Sequence, residues 1–357
     1  MLAANTGGGL ARARELARTL PSLGPQHRYL FVAQPALARE LERDGIATLG
    51  PPALPVPARL VWQQSILPML ARRRFKPHVV FSPFNYLPTR WPGNPRLAVL
   101  LSNLAPYSPT VTAMYGGREW ARLRLLRRLT DRTVATAARV FVLSRQAYDL
   151  VDALGGRHAE LIPMAPPPLL QRKRRPSDDE PYFVVVGDLL RYKGVEVVLD
   201  AIAGLPRRSR PLVIVAGARS DRPYAEMLER RRDELGLSDR VRFLGPLPHT
   251  QVLSLLENSL ACLGCSRFEN FSRVLIEALA VGAPVVAADT PSAREACGEA
   301  ATYYPPTDAP ALAERLSQLA SDGQLRESLS TAGLRHIAGL RPDSASRRIL
   351  AGLEAVA

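Results

Sequence analysis

The sequence is poor in lysine, cysteine and aromatic residues, and it has no long apolar run. Only three of its 47 basic residues are lysines, Lys76, Lys173 and Lys193, and the others are arginines. Three cysteines are an odd number in a chain of 357 residues, which argues against a disulfide framework and favours a reducing compartment. Aromatics make up 6% of the residues and are not interleaved with basic stretches, so nucleic acid is not expected as a partner.

The apolar runs are too short to cross a membrane, and the first residues do not have the pattern of a signal peptide. The longest run, residues 278–288, contains Gly282 and Pro284, whereas a bilayer span needs about 18 or more apolar residues. Residues 1–9, MLAANTGGG, lack a basic segment followed by an apolar core. We therefore expect a cytoplasmic protein that is soluble or peripheral at the inner face of the plasma membrane.

Basic charge is concentrated in the first half of the chain. Residues 1–175 hold 26 basic and 9 acidic residues, a net charge of +17, whereas the remainder holds 21 basic and 24 acidic residues, a net charge of −3. The densest stretch, residues 118–145, places Leu123, Leu126 and Leu129 at helical spacing among arginines. Such a helix is suited to an anionic membrane surface. The alternative is a solvated helix in a protein whose codon usage favours arginine.

Short apolar runs alternate with amphipathic stretches, which is typical of parallel sheets covered by helices on both faces. In the second half, strands are predicted at residues 182–187, 211–217, 241–245, 260–265, 284–289 and 301–304. Helices are predicted between them at 193–205, 222–236, 248–258, 271–281, 291–297 and 308–321. The first half has a helix at 10–20 and strands at 2–4, 28–33, 78–83, 97–102, 140–144 and 159–163.

This organisation predicts an α/β protein of two Rossmann-like, doubly wound domains facing a cleft. The first domain is expected at residues 1–165 and the second at 182–341. The segment 166–181 is rich in proline and charge, which is typical of a linker. The last segment, 342–357, has a helical pattern and is expected to pack back on the first domain. Ligands of open α/β sheets bind at the carboxyl ends of the strands, which would line the cleft.

The stretch SRFENFSRVLIEALAVG, residues 266–282, carries two glutamates around a predicted helix start. Glu269 lies at the mouth of the helix and Glu277 about two turns along, so both are expected to face one ligand. Free N–H groups at a helix start suit a phosphate, and a carboxylate further in can accept from both ribose hydroxyls. The alternative is a helix-dipole partner at Glu269 and a solvated Glu277, but the apolar neighbours of Glu277 make an unpaired charge there costly.

A second stretch, VVVGDLLRYKG, places Arg191 and Lys193 at a strand-to-helix turn that follows Gly187. A lysine ammonium at such a turn is a suitable point charge for a diphosphate, and an ordinary surface lysine is the alternative.

Cys262 and Cys265 form a C-x-x-C within a predicted strand, where neither a reactive thiolate nor a zinc site is expected. The five histidines are scattered and are interpreted as core or surface residues.

Six segments follow one another in the second half: VGDLLRYKG, VIVAG, VRFLGPLPHTQV, ENFSRVLIE, EALAVGAPVVAAD and SAREACGEAATYYPPTD. In this order they resemble the donor domain of the retaining glycosyltransferases of family 4, or glycosyl transferases group 1. The resemblance covers residues 182–340 and implies the GT-B fold. It implies that Lys193 contacts the donor diphosphate, that Glu269 contacts hydroxyls of the donor sugar, and that Glu277 binds the nucleotide ribose. The other residues expected at the donor site are Gly187, Arg191, Asn270, Phe271, Ser272 and Arg273.

In the first domain, NTGGGLARARELARTL at residues 5–20 resembles the glycine-rich loop of the same family. By this resemblance the loop approaches the donor phosphates and the acceptor. Gly7, Gly8 and Gly9 allow the backbone to come close to a ligand because they have no Cβ.

The chain departs from the family pattern at two places. Members commonly have arginine where this chain has Asp188, so Arg191 or Arg273 is expected to supply the missing positive charge. Many members also have His-Asp after the fourth strand of the first domain, where this chain has Ser102 and Asn103. The role of that histidine is not carried over, and Asn103 is expected only to hydrogen-bond a sugar hydroxyl or the acceptor.

The resemblance implies transfer of a hexosyl group from a nucleoside diphosphate sugar to an acceptor hydroxyl, with retention of configuration, in the synthesis of a cell-surface polysaccharide or glycolipid. No cofactor and no metal are expected, because no Asp-x-Asp turn or His/Cys ligand cluster is present. The expected partners are the donor, a glycan or lipid-linked acceptor and an anionic membrane surface. The alternatives are a nucleotide-sugar epimerase or hydrolase on the same scaffold, and a non-catalytic nucleotide-binding scaffold of a glycan assembly complex.

Overall fold

The protein is described by a computed structural model over residues 8–50, 58, 61–156, 158–162, 180–341 and 343–357. The chain divides into two compact units. The first comprises the described residues within Met1–Tyr107, Gly116–Met164 and Asp343–Ala357, and the second those within Ser108–Tyr115 and Ala165–Pro342. Residues Ser108–Tyr115 belong to the second unit, although they lie within the predicted first domain at 1–165. The predicted strand at 2–4 and almost all of the predicted linker at 166–181 lie outside the described residues.

The first unit contains two parallel sheets. Its strands are β1 (Phe31–Val32), β2 (Thr48–Leu49), β3 (Val79–Ser82), β4 (Arg96–Leu101), β5 (Arg139–Val142) and β6 (Ala159–Leu161). Strands β1 and β2 pair with each other, and the other four form one sheet in the order β3-β4-β5-β6. The helices up to residue 156 are α1 (Gly8–Leu23), α2 (Pro35–Arg43), α3 (Leu67–Arg74, after a π-helical turn at Trp62–Ile66), α4 (Pro109–Ala113, in the second unit), α5 (Gly117–Thr136) and α6 (Arg145–Ala153).

The second unit is built on one six-stranded parallel sheet. Its strands are β7 (Tyr182–Val186), β8 (Leu212–Ala216), β9 (Val241–Gly245), β10 (Ala261–Gly264), β11 (Val285–Ala288) and β12 (Thr302–Tyr304). They are arranged in the order β12-β11-β10-β7-β8-β9. Its helices after β7 are α7 (Val195–Gly204), α8 (Arg222–Glu234), α9 (His249–Asn258), α10 (Arg273–Ala280), α11 (Pro291–Cys297), α12 (Ala309–Ser321) and α13 (Gly323–Ala338). Helices α2, α3, α4, α6 and α13 and strand β2 were not predicted from the sequence. The predicted elements that fall on described residues are confirmed within a few residues.

Alternating residues of β7 face opposite sides of the sheet in the second unit, and both sides are covered. Phe183 and Val185 belong to one buried apolar cluster, and Tyr182 and Val184 belong to the other. Because each face packs against helices, β7 is apolar at every position rather than at every second one. That pattern is why the sequence indicated a doubly wound sheet.

The end of the chain packs on the first unit. Helix α14 (Ser344–Glu354) contacts α1 and β5, and the Thr19 and Ser346 hydroxyls lie 3.0 Å apart. Gly352 lies against the ring of Phe141, so closely that a Cβ at this position would be 2.6 Å from a ring carbon. Among the described residues, no helix is both long and apolar enough to cross a bilayer.

Candidate functional site

Two loops meet at the carboxyl edge of the sheet in the second unit. Strands β7 and β10 are parallel neighbours, with Phe183 opposite Ala261, so the loops that follow them emerge side by side. These loops are residues 187–194 and 265–272. They approach so closely that a Cβ on Gly194, whose φ is +66°, would lie 2.5 Å from the carbonyl oxygen of Cys265. Glycine is therefore required at this turn.

Lys193 and Glu269 face each other across the two loops. The Lys193 ammonium forms an ion pair with Oε1 of Glu269, and the same oxygen accepts a hydrogen bond of 2.9 Å from the Ser266 hydroxyl. Burial lowers the pKa of Lys193, but the charge and hydrogen bond of Glu269 raise it by more, so the pKa lies above its ordinary value. The ammonium therefore stays charged at neutral pH, as contact with a phosphate requires.

Glu277 lies on α10 and is 4% exposed. Its Oε1 accepts hydrogen bonds from Nε of Arg273 at 2.8 Å and from Nε2 of His249 at 3.0 Å. Burial raises the pKa of Glu277, but the hydrogen bond from His249 and the charge of Arg273 together lower it by more. The net shift of the pKa is therefore downward. The sequence argument that a charge here needs partners is confirmed.

His249, the first residue of α9, is a site residue that the sequence analysis missed. It was interpreted as a core or surface histidine, and its 46% exposed imidazole agrees with a surface position, but its hydrogen bond to Glu277 was not predicted. A signal was present, because His249 follows β9 at the same sheet edge as the two loops. A polar residue at the carboxyl end of a parallel strand is a candidate ligand contact.

The two arginines expected to replace the family arginine at Asp188 both have carboxylate partners. Arg191 pairs with Asp221 at 3.1 Å, and Arg273 pairs with Glu277 one helical turn along α10. Arg191 is nonetheless 45% exposed at its side chain. Lys193 and Arg273 each pair with a glutamate that is itself a predicted ligand contact, whereas Asp221, the partner of Arg191, is not.

The residues between the two glutamates form the start of α10. Asn270 is 6% exposed, Phe271 packs against the apolar cluster on one face of the sheet, and Ser272 is the N-cap residue. No side-chain cap hydrogen bond is made by Ser272. The helix begins two residues later than predicted, since Arg273 rather than Phe271 is its first residue.

In the first unit, the loop after β4 is held by a residue that was not predicted. Asn85 Oδ1 accepts hydrogen bonds from the backbone N–H groups of Ser102 at 3.0 Å and Asn103 at 2.8 Å, and its amide nitrogen donates to the Asn103 carbonyl. The Asn103 side-chain oxygen accepts from the Ala105 N–H at 2.9 Å. That oxygen therefore caps the short turn Ala105–Tyr107, and the side-chain amide nitrogen is the group left for a ligand.

The glycine-rich segment is helical in the part that the structure describes. Gly8 and Gly9, predicted as a loop, are the first residues of α1, and Gly7 lies outside the described residues. The helix thus begins earlier than the predicted residue 10. Backbone N–H groups of a first helical turn have no intrahelical partner, so they keep the ability to bind a ligand that the loop was expected to have.

The cysteines are buried and unpaired by disulfides. Cys262, Cys265 and Cys297 are all free thiols, and burial raises the pKa of both Cys265 and Cys297 to about 12. A thiol with so high a pKa is a poor nucleophile at neutral pH. Within the described part of the chain, no group of three or more His, Cys, Asp or Glu side chains is placed to hold a metal ion.

Comparison with known proteins finds a family model that matches most of the second unit. Residues 168–336 match the family model of the glycosyl transferases group 1. This match covers less than half of the chain, and it shows that the second unit is similar to a glycosyl transferases group 1 domain. The two loops, Lys193 and both glutamates lie inside this matched region.

Characterised relatives match the same domain. The alpha-D-kanosaminyltransferase of Streptomyces kanamyceticus is 32% identical over 162 residues, which are 44% of this chain and 41% of the relative. A D-inositol 3-phosphate glycosyltransferase of Corynebacterium urealyticum is 32% identical over 174 residues, 46% of this chain and 41% of its own. The match thus spans less than half the length of these relatives.

Solved structures match the whole chain. The sucrose-phosphate synthase of Thermosynechococcus elongatus has a TM-score of 0.78 at 19% identity, covering 98% of this chain and 93% of its own. Anabaena Alr3699/HepE, solved with UDP-glucose, has a TM-score of 0.77 at 18% identity, covering 99% and 97%. At this identity the likeness establishes the fold. The two units together therefore have the GT-B fold, as the sequence resemblance implied.

Proposed function

We propose that the protein is a retaining glycosyltransferase of family 4 that moves a hexosyl group from a nucleoside diphosphate sugar to an acceptor hydroxyl. The observation that carries the proposal is the Lys193–Glu269 pair at the carboxyl edge of the sheet, with Glu277 buried on the following helix. A cation for the diphosphate and two carboxylates for hydroxyl groups are the chemistry that a nucleotide sugar needs. The relatives of the group 1 domain are named as transferases of sugars, which agrees with this assignment.

Each residue has a definite role in the proposed reaction. The bond between the anomeric carbon and the β-phosphate oxygen breaks, and negative charge develops on the leaving diphosphate. Lys193 stabilises that charge, which is the demanding step of the reaction. Glu269 accepts hydrogen bonds from hydroxyls of the donor sugar. The acceptor oxygen attacks the same face of the anomeric carbon, and its proton passes to the leaving phosphate oxygen, so no dedicated base is required.

Glu277 is assigned to the ribose of the nucleotide. Oε1 of Glu277 accepts hydrogen bonds from Arg273 and His249, so these two residues fix the carboxylate that we assign to the ribose. His249 is half exposed, and we assign it as a further contact for the ribose or the base.

The donor-binding assignment is tested by thermal shift of the full chain against UDP-, GDP-, ADP- and dTDP-sugars. A donor that binds only the folded state at 100 times its Kd stabilises that state by about 2.7 kcal/mol. Glu277→Gln is expected to weaken the shift, and Lys76→Met, a change of an exposed lysine in the first unit, is expected to leave it unchanged. A chain stabilised by none of these donors would contradict the proposal.

The transfer itself is tested with the identified donor and a panel of acceptors. Lys193→Met is expected to lower kcat by about 10²–10³-fold, as the loss of one group that stabilises an oxyanion does. NMR of the product is expected to show the anomeric configuration of the donor. Full consumption of donor without acceptor would instead identify an epimerase or hydrolase, and a glycan that persists in cells carrying Lys193→Met and Glu269→Ala would identify a non-catalytic scaffold.

Metal independence is part of the proposal, because Lys193 and the start of α10 supply the positive potential for the leaving diphosphate. Turnover in EDTA is expected to equal turnover in Mg²⁺ within about 2-fold, since a metal that bridged the phosphates would contribute several kcal/mol. Loss of turnover in EDTA that Mg²⁺ restores would overturn this part of the proposal.

We also propose that the protein works on a cell-surface polysaccharide or glycolipid at the inner, anionic surface of the plasma membrane, with α5 as the membrane-facing helix. The structure corrects which side of α5 is available. Leu123 is buried and Leu126 and Leu129 are half-buried, so the leucine stripe packs inward. The outer side carries Trp120 and Leu125, 43% and 47% exposed, among exposed arginines. These arginines are Arg118, Arg122, Arg124, Arg127, Arg128 and Arg132.

An exposed tryptophan and leucine among arginines is the composition of a helix that lies in a lipid headgroup region. The Arg124 guanidinium lies 4.5 Å from the centroid of the Trp120 ring, so charge and ring occupy the same face. A basic residue near an anionic surface contributes about 1 kcal/mol. The Arg124→Gln/Arg128→Gln double variant is therefore expected to weaken binding to anionic vesicles roughly 30-fold.

Vesicle sedimentation decides whether α5 is the membrane contact. Binding to anionic vesicles that falls at high salt and is absent with neutral vesicles is expected. Arg72→Gln/Arg73→Gln on α3, which removes two exposed arginines beside the exposed Met69, is the matched control. If the α3 variant loses binding and the α5 variant does not, the assignment to α5 is wrong. If the wild type binds neither kind of vesicle, the membrane proposal fails.

A further inference from the structure

A second ion pair links loop 265–272 to the first turn of α7, the helix that directly follows the loop of Lys193. Arg267 in loop 265–272 pairs through Nη2 with Oε1 of Glu196 in the first turn of α7. The other carboxylate oxygen of Glu196 accepts a hydrogen bond from the Tyr224 hydroxyl of α8. The backbone of Arg267 also donates to the Tyr192 carbonyl at 2.8 Å. Nothing in the sequence analysis assigned a role to Glu196, Arg267 or Tyr224.

The Tyr224 hydroxyl holds the carboxylate in place from behind. It is buried, at 3% exposure, and it accepts a hydrogen bond of 3.0 Å from the Val195 N–H at the start of α7. Burial and the neighbouring Glu196 raise the pKa of Tyr224 above its ordinary value, so the hydroxyl keeps the proton that it donates. Tyr224 is itself fixed at the start of α8, where its N–H donates to Asp221 at 3.1 Å. The orientation of the Glu196 carboxylate is thus fixed on both sides.

We propose that Glu196, Arg267 and Tyr224 form a positioning clamp that keeps Lys193 and Glu269 in register while the donor is bound. This inference rests on the proposed function. In the ligand-free protein the Lys193–Glu269 pair itself joins the loops, but a donor diphosphate takes Lys193 and the sugar hydroxyls take Glu269. The Glu196–Arg267 pair shares no group with either ligand contact, so this ionic link between loop 265–272 and the start of α7 survives donor binding.

A clamp of this kind acts on geometry rather than on affinity. Misplacement of a contact by about 1 Å can cost roughly 10²-fold in rate. For Arg267→Met we therefore expect kcat to fall about 10–100-fold while the donor KM changes by less than about 3-fold, with partial recovery in Arg267→Lys. The control is Arg242→Met, because Arg242 of β9 forms an ion pair of 3.0 Å with Glu180, which belongs to neither of the two loops nor to the clamp. Its kcat is expected to match the wild type.

Glu196→Gln separates positioning from simple electrostatics. Arg267 lies two residues from Glu269, so its loss also removes positive potential from the donor site. Under simple electrostatics, removing the negative charge of Glu196 would have the opposite effect and favour the donor. Under the clamp, both Arg267→Met and Glu196→Gln lower kcat. A Glu196→Gln variant with wild-type or higher kcat therefore overturns the proposal.

Hydrogen exchange of the ligand-free protein supplies a readout that does not depend on activity. Arg267→Met and Glu196→Gln are expected to accelerate amide exchange in residues 265–272 at least about 10-fold, whereas Arg242→Met leaves it unchanged. Unchanged exchange in both clamp variants overturns the clamp whatever the kinetics show. A wild type that transfers no sugar from any donor refutes the proposed function, and faster exchange in the two variants would still establish the link between loop 265–272 and α7.

Discussion

Alanine at Gly194 is expected to destabilise the second unit and to displace the loop that carries Glu269. Gly194 has a φ of +66°, and a Cβ there would lie 2.5 Å from the backbone oxygen of Cys265. The left-handed conformation costs roughly 1–2 kcal/mol for a residue with a Cβ. Forcing extra atoms into a packed site costs about 1–3 kcal/mol more. We expect a loss near 3 kcal/mol in the free energy of unfolding, or roughly 6–12 °C in Tm for a unit of this size.

Alanine substitutions at two other glycines separate the cost of the left-handed conformation from the cost of the steric contact with Cys265. Gly236, at the end of α8, has a φ of +62°, and the nearest atom to its added Cβ is the tip of the Arg207 side chain at 3.4 Å. Gly236→Ala is therefore expected to lose only the conformational part, roughly 1–2 kcal/mol. Gly204, the last residue of α7, has nothing within 4 Å, so Gly204→Ala is expected to be neutral or to stabilise by up to about 1 kcal/mol.

Urea and thermal unfolding followed by circular dichroism measure the three variants side by side. The order of stability expected is Gly204→Ala, then Gly236→Ala, then Gly194→Ala. If Gly194→Ala loses no more stability than Gly236→Ala, the contact with Cys265 is not what requires glycine, and the close approach of the two loops is refuted.

Three further predictions concern other groups. Asn85→Ala leaves two backbone N–H groups after β4 without their acceptor and is expected to cost roughly 2–4 kcal/mol in urea unfolding; a loss below about 0.5 kcal/mol would contradict the role of Asn85. The pKa of Glu277 is lowered in the folded protein, so its stabilisation is present above the unfolded-state pKa of about 4.3 and is lost as pH falls through the lower folded value. The stability difference between wild type and Glu277→Gln should therefore shrink below about pH 4, and a difference that is the same at pH 3 as at pH 5 would be inconsistent with this. Burial raises the pKa of Cys265 and Cys297 to about 12, so a thiol reagent at pH 8 should label Cys262, Cys265 and Cys297 rapidly only in denaturant.

The sheet of the second unit was predictable because its strands are apolar on both faces and are separated by helices of ordinary length. Helix α13 was missed because its sequence contains Gly323 and Gly333 and a weak apolar stripe. Its role becomes visible only in packing, where Gly333 lies against Leu279 of α10. Strand β2 was missed because it has two residues, Thr48 and Leu49, and depends on its pairing with β1.

The residues of the candidate site were predictable where the chemistry lies within one short segment. Lys193, Glu269 and Glu277 follow from local patterns, and the parallel pairing of β7 and β10 brings the first two together. His249 contacts Glu277 across 28 positions of sequence, so the pairing depends on how the loops meet in space. Arg273 is different, because its spacing of four from Glu277 on a helix was visible in the sequence and favours an ion pair over a phosphate contact.

The ion pair between Lys193 and Glu269 predicts that Lys193 affects kcat more than it affects the donor Kd. Donor binding exchanges one anionic partner of Lys193 for another, so the ground-state gain is small. In the transition state the charge on the leaving phosphate grows, and this added charge has no counterpart in the ligand-free protein. Lys193→Met is therefore expected to change the donor Kd by less than about 10-fold while kcat falls by about 10²-fold or more.

Isothermal titration of the donor and steady-state kinetics measure the two quantities on one preparation. Glu269→Gln supplies the comparison, because it frees Lys193 from its partner before the donor arrives. That variant is expected to bind the bare nucleoside diphosphate more tightly than the wild type, since no ion pair has to be exchanged, yet to transfer sugar more slowly, since Glu269 no longer accepts from the sugar hydroxyls. Weaker binding of the diphosphate to Glu269→Gln would show that the Lys193–Glu269 ion pair does not compete with donor binding. The proposal that Lys193 exchanges Glu269 for the diphosphate would then be refuted.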